Sequence, residues 1–269
     1  MSTQRAHARQ VPAASGMLEV GVADGVATVT LARPPVNAIS DAWVAAFAAA
    51  LDALEARDDW TVLHLRSSQK VFCAGADLAE VRERIDAADG PDRMYSYVAG
   101  IQRLYARIER LPQVTIAEIG GAAMGGGLEL ALACDLRIAA VEAKLGLPEA
   151  RLGLIPGAGG TQRLTRLCGR AVAQRLILGA EVIDGASARE LGVVQWAVPR
   201  AELAVRAAEL AQRVAALPAR ALAASKACIA AAGEPGTGGY SIELEATRRL
   251  LTDAETRQRV EAFFAGAPQ

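Results

Sequence analysis

VTIAEIGGAAMGGGLELALACD, residues 114–135, reads as a buried strand, a glycine-rich turn and an apolar helix in direct succession. The strand part is a nearly continuous apolar and β-branched run, the pattern of a parallel strand covered on both faces. The glycines that follow remove Cβ atoms where a helix opens, so that free backbone N–H groups and the positive end of its dipole can meet a ligand. One turn into that helix stands Glu129, among apolar neighbours. A carboxylate there is costly unless it is exposed, paired or used.

The same order of elements recurs on either side. Upstream, MLEVGVADGVATVTLARPPVNAIS (17–40) predicts a hairpin around Asp24-Gly25, closed by Pro34-Pro35. DAWVAAFAAALDALEARDD (41–59) has helical spacing, WTVLHLRSS (60–68) is a second buried strand, and a helix is predicted over 92–110. Downstream, DLRIAA and AKLGL are short strands, and from Gly160 onward the chain turns helical. TQRLTRLCG, AVAQRLILG and the connector EVIDGASARELG lead to three longer helices after Pro199, Pro218 and the AAGEPGTGGY stretch. No internal repeat or low-complexity tract stands out. This alternation is that of an α/β fold, in which sites gather beyond the carboxyl ends of the strands. FCAGADL (72–78) and IGGAAMGGG (119–127) both fall at such ends.

Those two turns supply complementary chemistry. Ala76 in the first and Gly126 in the second are candidate N–H donors to a developing oxyanion. Asp77 is placed to cap the helix DLAEVRERID and so to orient the Ala76 N–H. Glu149 follows Pro148, twenty positions after Glu129, in LGLPEARLGLIPGAGGTQRL (145–164). Taken locally it is an ordinary acid in a helical first turn. Taken with Glu129 it completes a pair that can activate water on one atom and protonate its neighbour.

These motifs, FCAGADL, GGGLEL and above all PEARLGLIPGAGGTQRL, resemble the crotonase superfamily, and within it the enoyl-CoA hydratase/isomerase family, over nearly the whole chain. The resemblance implies a crotonase-like spiral of repeated ββα units, with a disordered tail over 1–16, a thioester-binding core over 17–200 and a helical C-terminal trimerisation region over 201–269. It implies that the N–H groups of Ala76 and Gly126 clamp the thioester oxygen of an acyl-CoA, with Ala74, Asp77 and Leu78 also lining the coenzyme A site. It further implies a hydro-lyase in which Glu149 supplies the α-proton and Glu129 assists the water. The product would be a 3-hydroxyacyl-CoA, as in fatty-acid β-oxidation or a related acyl-CoA catabolic pathway. No separate cofactor or metal is called for, because coenzyme A is part of the substrate. A homo-oligomer, either a trimer or a dimer of trimers forming a hexamer, is the expected assembly.

Composition restricts the alternatives. With 29 Lys and Arg against 30 Asp and Glu, the net charge is −1 and no basic face offers itself to nucleic acid or to anionic lipid. The four cysteines are widely spaced and the two histidines unclustered, so neither a disulfide framework nor a zinc site is suggested. A reducing, cytoplasmic location fits. No apolar run reaches the roughly 18–20 residues of a membrane span. GGAAMGGG does not meet the G-x-G-x-x-G fingerprint, with an acid about 20 residues on in a βαβ setting, of a dinucleotide loop. His64 and Cys73 read as packed core groups. Two departures from the family are visible: Leu147 stands where some hydratases carry glutamine, and the VEAFFAGAPQ end lacks the basic tail of many relatives, so phosphate anchoring is expected either to come from elsewhere, with Arg33 as a candidate, or to be weaker. The rival readings are another crotonase reaction (isomerisation, a methylglutaconyl-CoA-type hydration, or acyl-CoA cleavage) and a nonenzymatic RNA-binding or scaffolding paralogue.

Overall fold

The computed structural model of the chain describes residues 9–11, 16–232 and 238–266. Strand β1 (Arg9–Val11) pairs antiparallel with β2 (Leu18–Ala23), so part of the stretch expected to be a disordered tail is a sheet edge. Apart from Gly16, the rest of that stretch lies outside the described residues. β2 and β3 (Gly25–Leu31) form the opening hairpin, with Asp24 and Gly25 both at positive φ, as a tight two-residue turn requires.

Helix α1 (Asp41–Glu55) starts at Ser40, whose Oγ accepts the Trp43 N–H at 3.1 Å. It buries Trp43, Phe47, Ala50, Leu51 and Leu54, one stripe at helical spacing. β4 (Trp60–Ser67) then adds parallel to β3. Next come α2 (Leu78–Asp86), α3 (Gly90–Arg110) and β5 (Val114–Ile119), with β5 parallel to β4. After β6 (Ala123–Met124) and α4 (Gly126–Leu132), β7 (Leu136–Ala140) extends the sheet beside β5. β8 (Lys144–Gly146) pairs with β6 in a small second sheet. A short 3-10 helix, Pro148–Leu152, carries Glu149.

The C-terminal half departs from an all-helical reading. α5 (Gly160–Leu178) is broken at Gly169, where the backbone leaves helical φ/ψ, matching the two segments seen in sequence. β9 (Val182–Asp184) joins the small sheet antiparallel to β8 and is followed by α6 (Gly185–Glu190). β10 (Trp196–Val198) closes the large sheet beside β7. Both strands are three residues long. Too short to show a period, they are selected by the edges they pair with. Among the described residues four helices follow instead of three: α7 (Arg200–Ala215), α8 (Ala219–Ala232), α9 (Gly239–Leu250) and α10 (Ala254–Phe264).

The large sheet runs β1-β2-β3-β4-β5-β7-β10 and the small one β6-β8-β9. The main core packs α1, α3 and α4 against one side of the large sheet. On the other side, Leu210, Ala211 and Val214 of α7 close over Val26, Val62, Val114 and Ile116. α8 is tied back by Lys226, whose Nζ donates to Asp135 Oδ2 at 2.7 Å and to the Gln113 carbonyl at 3.0 Å. Beyond it the helices bury little, and Ile229, Tyr240, Leu244, Phe263 and Phe264 stay exposed. No single helix among the described residues is long and apolar enough to cross a membrane.

Candidate active site

The ends of β4 and β5 meet where the sequence placed its two turns. Gly75, at φ +95°, sends its carbonyl to the Ile39 N–H at 2.9 Å, while the Asp77 N–H donates to the Ile39 carbonyl at 2.8 Å. Gly75 C=O and Ala76 N–H belong to one planar trans peptide, so the Ala76 N–H points away from Ile39. The second turn follows the same logic. The Gly125 carbonyl accepts the Glu129 N–H at 3.0 Å, and the Gly126 N–H of that peptide therefore points out of the start of α4. Among the described residues neither Ala76 N nor Gly126 N has a backbone acceptor.

The two turns touch. A Cβ built on Gly75 would sit 3.4 Å from Gly126 N and 2.8 Å from the Met124 carbonyl. One built on Gly126 would sit 3.9 Å from Ala76 N, and one on Gly127 would strike the Cys73 carbonyl at 2.1 Å. Glycine is required at 75 and 127 because backbone approaches backbone, whereas at 126 a Cβ would meet the Ile39 side chain, with Cδ1 at 2.8 Å. The result is a pair of neighbouring free N–H groups, one of them at a helix N-terminus, suited to hold an oxygen that gains negative charge.

Glu149 approaches this spot at Gly125, and Glu129 stands in the first turn of the helix that Gly126 opens. Glu129 is 2% exposed, and its Oε1 accepts the Gly160 N–H at 2.7 Å. Burial raises its pKa to about 7; the Gly160 N–H opposes the rise and the charge of Glu149 adds to it. Glu149 is half-buried, and burial likewise pushes its pKa above the ordinary value. Its Oε1 lies 2.8 Å from where a Gly125 Cβ would be, and its buried Oε2 has no hydrogen-bond partner among the described residues. Burial therefore favours the protonated form of both carboxyl groups, and the charge of Glu149 adds to that preference at Glu129.

The other candidate residues separate into roles. Asp77 caps α2, with Oδ1 accepting the Ala79 N–H at 3.1 Å and Oδ2 paired to Arg33 at 2.8 Å. Arg33 also donates to the Ala38 carbonyl, so its guanidinium braces the donor turn and is not a free phosphate anchor. Ala74 is exposed, with its N–H on the Val36 carbonyl at 3.0 Å, and Leu78 opens α2 at 61% exposure; both stand at the rim. Leu147 is fully buried. The Cys73 thiol donates to the Asn37 carbonyl, and burial raises its pKa to about 12, which makes it a packed group and not a nucleophile. His64 is enclosed within the sheet, its Nε2 2.8 Å from Glu118 Oε2.

The residue that sequence reading missed is Gly160. PGAGG ahead of TQRL carried a usable signal, since a glycine run opening a helix is an anion-binding arrangement. Its anion here is the Glu129 side chain. Glycine is needed because a Cβ at position 160 would lie 2.9 Å from Glu129 Oε1 and 2.9 Å from Pro156 Cβ.

The chain resembles known proteins in sequence and in fold. A family profile described as enoyl-CoA hydratase/isomerase matches residues 21–265. The chain is 45% identical over 184 residues to the mouse mitochondrial protein enoyl-CoA hydratase domain-containing protein 2, covering 68% of this chain but only 60% of that one. It is 39% identical over 241 residues to Bacillus subtilis YngF, provisionally named an enoyl-CoA hydratase/isomerase, covering 88% of this chain and 91% of the relative. Among solved structures, a Geobacillus kaustophilus enoyl-CoA hydratase superposes with a TM-score of 0.91 at 32% identity, over 97% of each chain.

Proposed function

The chain belongs to the enoyl-CoA hydratase/isomerase family of the crotonase superfamily, and from that premise we propose that it hydrates the 2,3 double bond of a trans-2-enoyl-CoA to a 3-hydroxyacyl-CoA. The observation that carries this reading is the convergence of two carboxyl groups of raised pKa, Glu129 and Glu149, on two neighbouring unpartnered N–H groups.

In this mechanism the thioester oxygen sits between Ala76 N–H and Gly126 N–H, which stabilise the enolate formed as water adds. One donor of this kind is worth about 3 kcal/mol in the transition state. Ionised Glu129, held by the Gly160 N–H, takes a proton from water as the hydroxyl bonds to the β-carbon. Glu149, whose Oε2 has no hydrogen-bond partner among the described residues, carries the proton delivered to the α-carbon. Transfer of the proton from Glu129 back to Glu149 resets the pair. Water supplies both the added hydrogen and the hydroxyl, and the polarising is done by backbone dipoles.

The exposed apolar side chains of α8 to α10 support a homo-oligomer, a trimer or a dimer of trimers, in which they become covered. The near-zero net charge favours an enzyme over an RNA-binding paralogue.

The test is loss of enoyl absorbance from crotonyl-CoA with wild type, Glu129→Gln and Glu149→Gln, followed by product identification across linear, branched and carboxylated enoyl-CoAs. Turnover abolished by either substitution supports hydration by the pair. A wild type that binds acyl-CoA yet yields an isomerised or cleaved product assigns the site to another crotonase reaction.

A further inference from the structure

Helix α3 sends two buried tyrosines to the two donor turns. Tyr97 Oη donates to the Ile39 carbonyl at 2.7 Å, and Tyr105 Oη donates to the Gly126 carbonyl at 2.8 Å. Both side chains are buried, Tyr105 completely. Eight residues on a helix span about 12 Å, and the two hydroxyls therefore grip two separate places on one rigid rod.

Each acceptor adjoins a donor peptide. Ile39 is the residue whose N–H and C=O clamp Gly75 and Asp77 on either side of Ala76. The Ile39 carbonyl thus holds the Asp77 N–H and the Tyr97 hydroxyl together. On the other turn, the Gly125–Gly126 peptide is bracketed: Gly125 N–H is fixed to the Gly146 carbonyl at 2.9 Å and the Gly126 carbonyl to Tyr105. Bracketing matters because Gly125, at φ +50° and ψ −124°, lies where glycine is freest to rotate. Tyr97 is itself held, with the Arg84 guanidinium 4.3 Å from its ring centroid.

We propose that Tyr97 and Tyr105 are positioning residues that set the direction and spacing of the Ala76 and Gly126 N–H groups toward the thioester oxygen. The proposal rests on the oxyanion reading of those groups given above. Neither tyrosine touches substrate in this scheme. Removing a hydroxyl loosens one donor peptide while the ring keeps its packing, and the loss falls mainly where charge on the oxygen is greatest, in the transition state.

The experiment compares wild type with Tyr97→Phe, Tyr105→Phe and, as a control on the same helix, the exposed Tyr95→Phe. Two readouts are used: kcat and KM with crotonyl-CoA, and the infrared carbonyl stretch of bound 13C-labelled butyryl-CoA, which cannot react. The expected result is a roughly tenfold fall in kcat for each buried-tyrosine variant with KM little changed. The bound carbonyl should move back toward its frequency in water in these two variants and not in Tyr95→Phe. Wild-type kcat and an unshifted carbonyl band in folded Tyr97→Phe and Tyr105→Phe would overturn the proposal alone. A wild type whose bound carbonyl is not lowered at all would overturn the oxyanion reading, and the proposal with it.

Discussion

The Gly160 N–H donates to Glu129 Oε1 at 2.7 Å, so the start of α5 holds a carboxylate carried in the first turn of α4. This bond favours the ionised form, yet burial outweighs it and the pKa ends at about 7. A carboxyl group whose folded pKa lies above its unfolded value destabilises the fold as pH rises between the two. From the ordinary 4.5 up to about 7 the folded state keeps a proton that the unfolded state has lost. Above that range the full penalty applies, on the order of 3 kcal/mol. Glu129→Gln, which keeps an acceptor for Gly160, is therefore expected to unfold at higher urea than wild type at pH 8 and at similar urea at pH 4.5. A stabilisation of equal size at both pH values would show that the ionised carboxylate is not the cause.

Glu149 contributes to the raised pKa of Glu129 through its charge. Replacing it with glutamine removes that repulsion, so the Glu129 carboxyl should titrate at lower pH in Glu149→Gln than in wild type, as followed by its infrared carboxylate band. The proposed reaction needs one proton shared by the pair. Wild-type hydration should accordingly decline on the alkaline side as the pair loses its last proton, and on the acid side as both groups become protonated. An unchanged Glu129 titration in the variant would mean that the two groups do not sense each other.

Gly125 serves both geometry and space. Its φ of +50° strains any L residue, and a Cβ there would lie 2.8 Å from Glu149 Oε1. Gly153 offers a contrast in the milder left-handed helical region, at φ +71° and ψ +19°, with nothing among the described residues within 4 Å of its Cβ position. Gly153→Ala is expected to cost about 1 kcal/mol in stability and to hydrate crotonyl-CoA within a few-fold of wild type. Gly125→Ala should lose a similar or larger stability and at least tenfold in kcat, because Glu149 must move. Equal activities for the two alanine variants would remove the steric role given to Gly125.

Much of this arrangement was readable from local chemistry. The glycine turns after β4 and β5, the Asp77 cap and the isolated Glu129 each announce themselves by a residue type whose physics is costly or special at that place. Long-range partners were not readable. β9 and β10 exist because β8 and β7 offer edges to them, and Glu129 meets Gly160 across 31 positions of chain. The hydroxyls of Tyr97 and Tyr105 look like ordinary members of an amphipathic helix until the Ile39 and Gly126 carbonyls are placed against them. Arg33 shows the converse. Its charge suggested a phosphate anchor, and only the fold reveals Asp77 and the Ala38 carbonyl in its reach.

Asp77 permits a separation of two stabilising effects. Its pKa is lowered chiefly by the hydrogen bond from Arg33 and further by the backbone N–H groups that it caps. A carboxylate of depressed pKa stabilises the fold above its unfolded value and loses that contribution as pH falls through the folded value. Asp77→Asn keeps a capping oxygen for the Ala79 N–H but gives up the ion pair. Asp77→Ala gives up both. At pH 7 the asparagine variant should lose up to about 1 kcal/mol, in keeping with a partly exposed pair, and the alanine variant about 1 kcal/mol more for the lost cap. On acidification below the wild-type titration the asparagine variant should converge on wild type, while alanine stays behind by the cap alone. Urea unfolding at pH 7 and along a falling pH series that passes below the wild-type Asp77 titration measures both gaps. An asparagine deficit that persists below that titration would place the stabilising role of Asp77 in packing and not in its charge.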